Sequence, residues 1–343
     1  MEKKFFGNTP QGESFLYTLE NRNGLKAEVS NFGAVLVNLF VPDKDGKTVD
    51  VVLGYDNVSG YINGGSFLGA TVGPSANRVK DAKFVIDGVT YVLDANDGKN
   101  NLHSHLQDAF HKKIWDVLEG DNWITFMTSN EDGVMGFPGN MKISVTYTLT
   151  QENELKIHYQ GSSDKNTLLN MTNHSYFNLA GHNSGLIHDH VLWMKASHYT
   201  PVVAGAIPTG EIALVTKTPM DFTTPTAIGS RITEDFEQLK LVGGYDHNWV
   251  VDQADGRIQL IASVEDRTSG RIMETYTDLP GVQFYAGNFI AKETGKSGAN
   301  YGPRTGLCLE TQYYPNSINQ DGFPRPEFGP DRPYDTTTIY KFL

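Results

Sequence analysis

The chain has a single cysteine, Cys308, in 343 residues, which excludes an internal disulfide framework. It also has no apolar run near the roughly 20 residues that cross a bilayer. The N-terminal Met1-Glu2-Lys3-Lys4-Phe5-Phe6-Gly7-Asn8 lacks the apolar stretch of about 7 to 15 residues that marks a secretory signal, so a soluble, cytoplasmic protein is expected. Basic residues are the minority charge: 28 against 40 acidic ones leave a net charge of −12. That field repels phosphate backbones and anionic headgroups, which removes nucleic acid and membrane surfaces as partners. Helical periodicity is nearly missing too, with residues 232–241 the best candidate for a helix. There is no internal repeat, no low-complexity tract and no Pro/Ser-rich linker, so one domain over residues 1–343 is expected.

What is abundant is glycine, 35 residues against a usual share of ~7%. Eight stand in Asp-Gly or Asn-Gly dipeptides, at 23, 45, 63, 87, 97, 132, 255 and 321. These pairs suit turns with positive φ and predict hairpins. Between them the chain alternates with period two. Ile143, Val145, Tyr147 and Leu149 share a face, and Leu155, Ile157 and Tyr159 repeat the pattern after a short turn. Residues 83–86 and 89–93 read as a second hairpin, 123–128 and 258–264 as further strands. The fold class expected is all-β, a large antiparallel sandwich with few short helices. The proline-rich stretch 324–333 is read as an ordered surface wrap.

Several segments carry chemistry. Within residues 169–179, parity places Asn170, Thr172, His174, Tyr176 and Asn178 on one face and Leu169, Met171, Phe177 and Leu179 on the other. A row of amide, imidazole and phenol groups suits a polar ligand, although an exposed face with a satisfied histidine would look the same. In Gly306-Leu307-Cys308-Leu309-Glu310-Thr311-Gln312 an apolar strand carries a carboxylate. If buried, Glu310 would have its pKa raised from about 4.3 toward neutrality, as a general base needs; if it ends the strand, it simply meets solvent. His103 and His105, at i and i+2, could face one metal, but Gln107 and Asp108 stand where a third ligand would be sought, so no metal is expected. Asp246, between Tyr245 and Trp249, suits a sugar site, with a local turn as the plain alternative. Arg78 sits in Gly73-Pro74-Ser75-Ala76-Asn77-Arg78, which lacks the glycine-rich entry to a helix of a phosphate cradle. Cys308, between two leucines, reads as a small hydrophobe and not as a nucleophile.

Together these segments resemble the aldose 1-epimerases, also called galactose mutarotases. The blocks Ala76-Asn77-Arg78, Asn101-Leu102-His103, Thr172 to Leu179, Ile207-Pro208-Thr209-Gly210-Glu211, Gly244 to Asn248, Gly281-Val282-Gln283-Phe284-Tyr285 and Leu309-Glu310-Thr311-Gln312 run in that family's order. The resemblance implies a large β-sandwich with an open cleft on one sheet, and interconversion of the α and β anomers of free aldohexoses such as galactose and glucose. It implies Glu310 as base and His174 as acid, with Arg78, His103 and Asp246 holding the sugar and Asn77, Tyr176 and Phe284 lining the cleft. Two departures stand out: Ser104-His105 where two glycines are common, and Tyr313 where histidine is frequent. Both are expected at the rim of the cleft. Opening and reclosing a hemiacetal transfers protons but no electrons, so no nicotinamide, flavin or other cofactor is expected. The expected partner is a small-molecule aldose, and the expected assembly a monomer or homodimer. A glycoside hydrolase using Asp246 and Glu310 as paired carboxylates and a noncatalytic sugar-binding module are the competing readings. A hexose-6-phosphate epimerase would need more basic residues at the cleft than Arg78.

Overall fold

The computed structural model describes residues 2–343. Three antiparallel sheets dominate. The N-terminal one is a five-stranded meander, Glu2–Thr9, Gly12–Glu20, Lys26–Ser30, Val35–Pro42 and Thr48–Asp50 in sequential order. A nine-stranded sheet forms one large face, with Trp123–Asn130, Met141–Leu149, Glu154–Ser163, Tyr334–Phe342 and Arg271–Thr277 adjacent in that order. A second five-stranded sheet contains His198–Thr200, Asp246–Val250, Gly281–Tyr285 and Cys308–Gln312 as successive neighbours.

Period two becomes burial directly. Along Met141–Leu149 every second residue is buried, and Met141, Ile143, Val145, Tyr147 and Leu149 face inward. Their neighbours Lys142, Ser144 and Thr146 face outward or to partial cover. The inward row meets residues of the other sheets, Val29, Leu36, Trp249, Phe284 and Leu309 among them, in one continuous core. This is the expected sandwich: sheets with one apolar face each must bury those faces against one another.

Of the eight glycine turns, those at 23, 45 and 87 join strands that pair with each other as hairpins. Only Asp87-Gly88 has positive φ at both positions, 53° and 75°, the requirement of a type I′ turn. Asn63-Gly64 closes the short helix Val58–Asn63 instead, with the Gly64 N–H donating to Gly60 O at 2.7 Å. The helix expected over 232–241 shortens to Glu237–Leu241. In the C-terminal wrap, Glu327–Phe328 pairs with Thr167–Leu168 and Phe328 is buried.

Candidate active site

The floor of the site is laid by strand register. In the second five-stranded sheet Gln283 lies opposite Glu310 and Tyr285 opposite Cys308, while Asp246 lies opposite Tyr285 on the other side. Directly opposed residues of antiparallel strands point to the same face. Glu310, Cys308, Gln283, Tyr285 and Asp246 therefore share one face, and Leu309, Phe284 and His247 share the other.

This register corrects one expectation. Phe284 does not line the cleft: it is fully buried, stacked on Tyr245 at 5.3 Å between ring centroids and packed against Trp249 and Phe222, both at 5.7 Å. Its neighbour Tyr285 takes the cleft position. The opposite parity places the aromatic of this block that sequence reasoning chose on the core side.

A second wall comes from Thr172–His174, paired antiparallel with Ala70–Val72 so that His174 lies opposite Ala70. Past this short strand Phe177 exchanges two backbone hydrogen bonds with Leu307, at 2.7 and 2.9 Å, which ties the His174 segment beside the Glu310 strand. Of the polar row, only His174 and Tyr176 line the cleft. Asn170 instead clamps the Tyr313 backbone, accepting from its N–H at 2.8 Å and donating to its carbonyl at 3.1 Å. Asn178 donates to Gly185 O and Thr305 O, and Thr172 is buried beneath the surface. Buried backbone in this irregular stretch needs partners, and Asn170 and Asn178 supply them.

The third wall is the Asn77-Arg78 loop with His103. Arg78–Val79 pairs with Asn101–Leu102, which brings His103 beside Asn77. The His103 N–H donates to Asn77 O at 3.0 Å, and the Asn77 N–H donates to His103 Nδ1 at 3.1 Å. With Nδ1 accepting, the neutral ring carries its hydrogen on Nε2. Burial holds the His103 pKa well below the usual range, with His174 and Arg78 adding to the effect, so it is a neutral hydrogen-bonding group. Arg78 Nε donates to Asp97 Oδ2 at 2.8 Å.

These walls enclose a cleft of about 210 Å³ lined by Asn77, Arg78, His103, His174, Tyr176, Asp246 and Glu310, together with Ser66, Phe67, Tyr285 and Phe289. Sequence reasoning missed the last four. Phe67, with φ of 56°, covers both imidazoles, its ring centroid 4.7 Å from that of His103 and 5.9 Å from that of His174. No local pattern marks such a residue. Gln283 was missed as well: it lies beneath the site and donates to Asp246 Oδ1 at 2.7 Å.

The electrostatics centre on two groups. Glu310 is 2% exposed, its Oε1 is 3.6 Å from His174 Nε2, and its Oε2 has no hydrogen-bond partner. Burial pushes its carboxyl well above the usual carboxylate range; the nearby Asp246 adds to the rise and Arg78 opposes it. Burial lowers His174 to about 4, opposed by its own backbone carbonyl. Asp246 is itself raised by burial, against Arg78 and the Gln283 hydrogen bond. Such opposed shifts in two neighbouring groups are a signature of acid–base sites.

The two departures lie off the cleft, contrary to expectation. Ser104, at φ of 70°, is fully buried; its hydroxyl accepts from the Ser75 N–H at 2.8 Å and donates to Ser75 O at 3.0 Å. It braces the loop that carries Asn77 and Arg78. Tyr313 packs on Phe328 with its hydroxyl accepting from Arg332 at 3.3 Å. His105 does not line the cleft; its Nδ1 accepts from the backbone N–H groups of Gln107 and Asp108. His174, Cys308 and Glu310 cluster closely. The two His174 ring nitrogens diverge, Nδ1 toward Cys308 and Nε2 toward Glu310.

Residues 16–341 match the family model described as aldose 1-epimerase. The chain is 39% identical to galactose mutarotase of Bos taurus, over 98% of this chain and 97% of that one. It is 34% identical to aldose 1-epimerase of Escherichia coli K12, over 97% of each. The GalM/aldose epimerase homologue from C. elegans superposes with a TM-score of 0.88 at 30% identity, covering 96% of this chain and 99% of that one. Galactose 1-epimerase from Lactobacillus acidophilus NCFM gives 0.87 at 27%, covering 100% and 98%. A match that spans the three sheets and every wall of the cleft leaves one assignment, and the chain belongs to the aldose 1-epimerase family.

Proposed function

We propose that this protein interconverts the α and β anomers of free aldohexoses such as galactose and glucose, with Glu310 as base and His174 as acid. One observation carries the reading: a buried carboxyl with an unpartnered oxygen lies 3.6 Å from an imidazole nitrogen, both opening into one polar cleft. The relatives named galactose mutarotase and aldose 1-epimerase support it.

Glu310 removes the proton from the C1 hydroxyl. The C1–O5 bond breaks with its electron pair going to O5, which takes a proton from His174, and C1 becomes the aldehyde carbonyl. Rotation about C1–C2 and the reverse steps deliver the other anomer. The pair holds one proton throughout, so no net proton enters or leaves. Such coupled groups titrate as a unit. The opposed shifts favour that proton on Glu310 over His174 before the reaction begins. Moving it to His174 creates the working base and acid, and Arg78 favours the carboxylate that results. Arg78, His103 and Asp246 hold the sugar hydroxyls, Asn77 and Tyr176 shape the cleft, and Tyr285 takes the role expected of Phe284.

The continuous core supports a single functional domain over the chain, and we place it in the cytoplasm as a monomer or homodimer. Among the described residues no helix is long and apolar enough to cross a membrane. The test is the decay of optical rotation of fresh α-galactose and α-glucose with and without protein. Acceleration is expected. An unchanged decay refutes the reading, and release of free sugar from a glycoside would favour a hydrolase instead.

A further inference from the structure

Cys308 is fully buried beneath the cleft, two residues from Glu310 on the same strand face. It takes no part in the proton transfers above. Its Sγ lies 3.5 Å from His174 Nδ1, within the range of a sulfur hydrogen bond. We propose that Cys308 is a positioning residue that fixes the tautomer of His174: its sulfur accepts the Nδ1–H, leaving Nε2 as the nitrogen that exchanges protons at the cleft.

The direction of that hydrogen bond follows from chemistry. A thiol can donate weakly or accept weakly. If it donated to Nδ1, the neutral imidazole would carry its hydrogen on Nε2. With the shared proton on Glu310, both groups would then face the sugar with a hydrogen and neither could act as base. With the hydrogen on Nδ1, Nε2 is bare, and it lies 3.6 Å from Glu310 Oε1, where it can receive the proton that Glu310 gives up. The same tautomer is the one left after His174 protonates O5 through Nε2. The thiol stays protonated, because burial and the nearby Glu310 and Asp246 push its pKa well above the usual thiol value. Sulfur thus offers lone pairs without adding a charge beside Glu310. Side-chain partners at the far ring nitrogen commonly decide which nitrogen of a histidine does the work.

The catalytic consequence rests on His174 being the acid of the proposed reaction, whereas the tautomer does not, and the test separates the two. Long-range ¹H–¹⁵N correlation spectra of the unliganded protein read the tautomer of each histidine. The signal of His174 is identified by its loss in His174→Gln. The wild type is expected to show the Nδ1–H form. Cys308→Ala and Cys308→Val, which lack an acceptor, are expected to shift His174 toward Nε2–H and to lower kcat by about 3- to 10-fold, the worth of one weak hydrogen bond, with KM nearly unchanged. Cys308→Ser, which keeps an acceptor, should restore the Nδ1–H signal. An Nε2–H ring in the wild type overturns the proposal, as does an unchanged tautomer in both the Ala and Val variants, even if kcat falls through altered packing. A shifted tautomer in a protein without mutarotase activity would uphold the positioning role and refute the function instead.

Discussion

Replacing Glu310 by glutamine is expected to remove the activity and make the protein more stable, and the two effects together are diagnostic. The substitution keeps size and shape and takes away only the capacity to accept a proton. General-base catalysis contributes about 10²- to 10⁴-fold, so kcat/KM should fall by at least that factor, about 2.7 to 5.4 kcal/mol at 1.36 kcal/mol per tenfold. Stability moves the other way because Glu310 Oε2 has no partner to lose. The folded-state pKa of Glu310 lies well above its ordinary 4.5, so the folded form binds this proton more tightly than the unfolded chain. Its contribution is therefore fully present below about pH 4.5 and is lost as pH rises toward the folded value, by about 1.4 kcal/mol per unit. Glutamine has no such loss. Relative to wild type, the variant should therefore gain stability as pH rises from 4.5 to 6, by at most about 1.4 kcal/mol per unit. Polarimetry with α-galactose reads the first effect, and urea unfolding at the two pH values the second. A variant retaining more than about a tenth of wild-type kcat/KM, a loss under ~1.4 kcal/mol, could not have lost the base. A stability gap that narrows as pH rises would contradict the burial argument.

Four further outcomes are expected. Arg78→Ala and Asp246→Ala should each raise KM as well as lower kcat; unchanged KM in both would remove them from the sugar site. Phe284→Ala should cost about 3 to 5 kcal/mol of stability by opening a core cavity with little change in KM, while Tyr285→Ala should cost less stability and raise KM; the reverse pattern in unfolding and kinetics would invert the register described above. His111 is buried with neither ring nitrogen partnered, and burial lowers it to about 3. Its contribution is present above about pH 6.5 and is lost as pH falls, so His111→Leu should gain about 2 kcal/mol relative to wild type between pH 7 and pH 5 in urea unfolding; no gain would show that the imidazole is hydrated. Activity should survive exhaustive treatment with EDTA, and a loss restored by a divalent ion would reverse the reading of the histidines.

The strands were legible because a period of two survives in any sheet with one buried face. The hairpin of Met141–Leu149 with Glu154–Ser163 could thus be placed without knowing its neighbours. The turns were less legible: Asn63-Gly64 has the same chemistry as Asp87-Gly88, yet one ends a helix and the other joins strands. Glycine marks a place where the chain may turn and not what it turns between. Glu310 and His174 stood out because a carboxylate on an apolar strand and an imidazole in a polar row are costly unless used. Phe67, Gln283 and the Ser104–Ser75 clamp did not, because each matters only through a partner distant in sequence or a positive φ that its residue type does not announce.

The exchange of Phe284 for Tyr285 shows what kind of information was missing. Both are aromatic, adjacent and within one strand, so composition and alternation treat them alike. What separates them is which residue lies opposite Glu310, and pairing places Gln283 there. From that one contact the rest follows: Tyr285 joins Glu310, Cys308 and Asp246 on the cleft face, and Phe284 joins Leu309 in the core. A slip of one residue between these strands would send Glu310 into the aromatic cluster of Tyr245 and Trp249 and turn Leu309 toward the sugar. The buried aromatics that resist that slip are therefore what holds the acid and base at 3.6 Å. In this molecule, stability of the core face and chemistry on the cleft face are enforced by the same register.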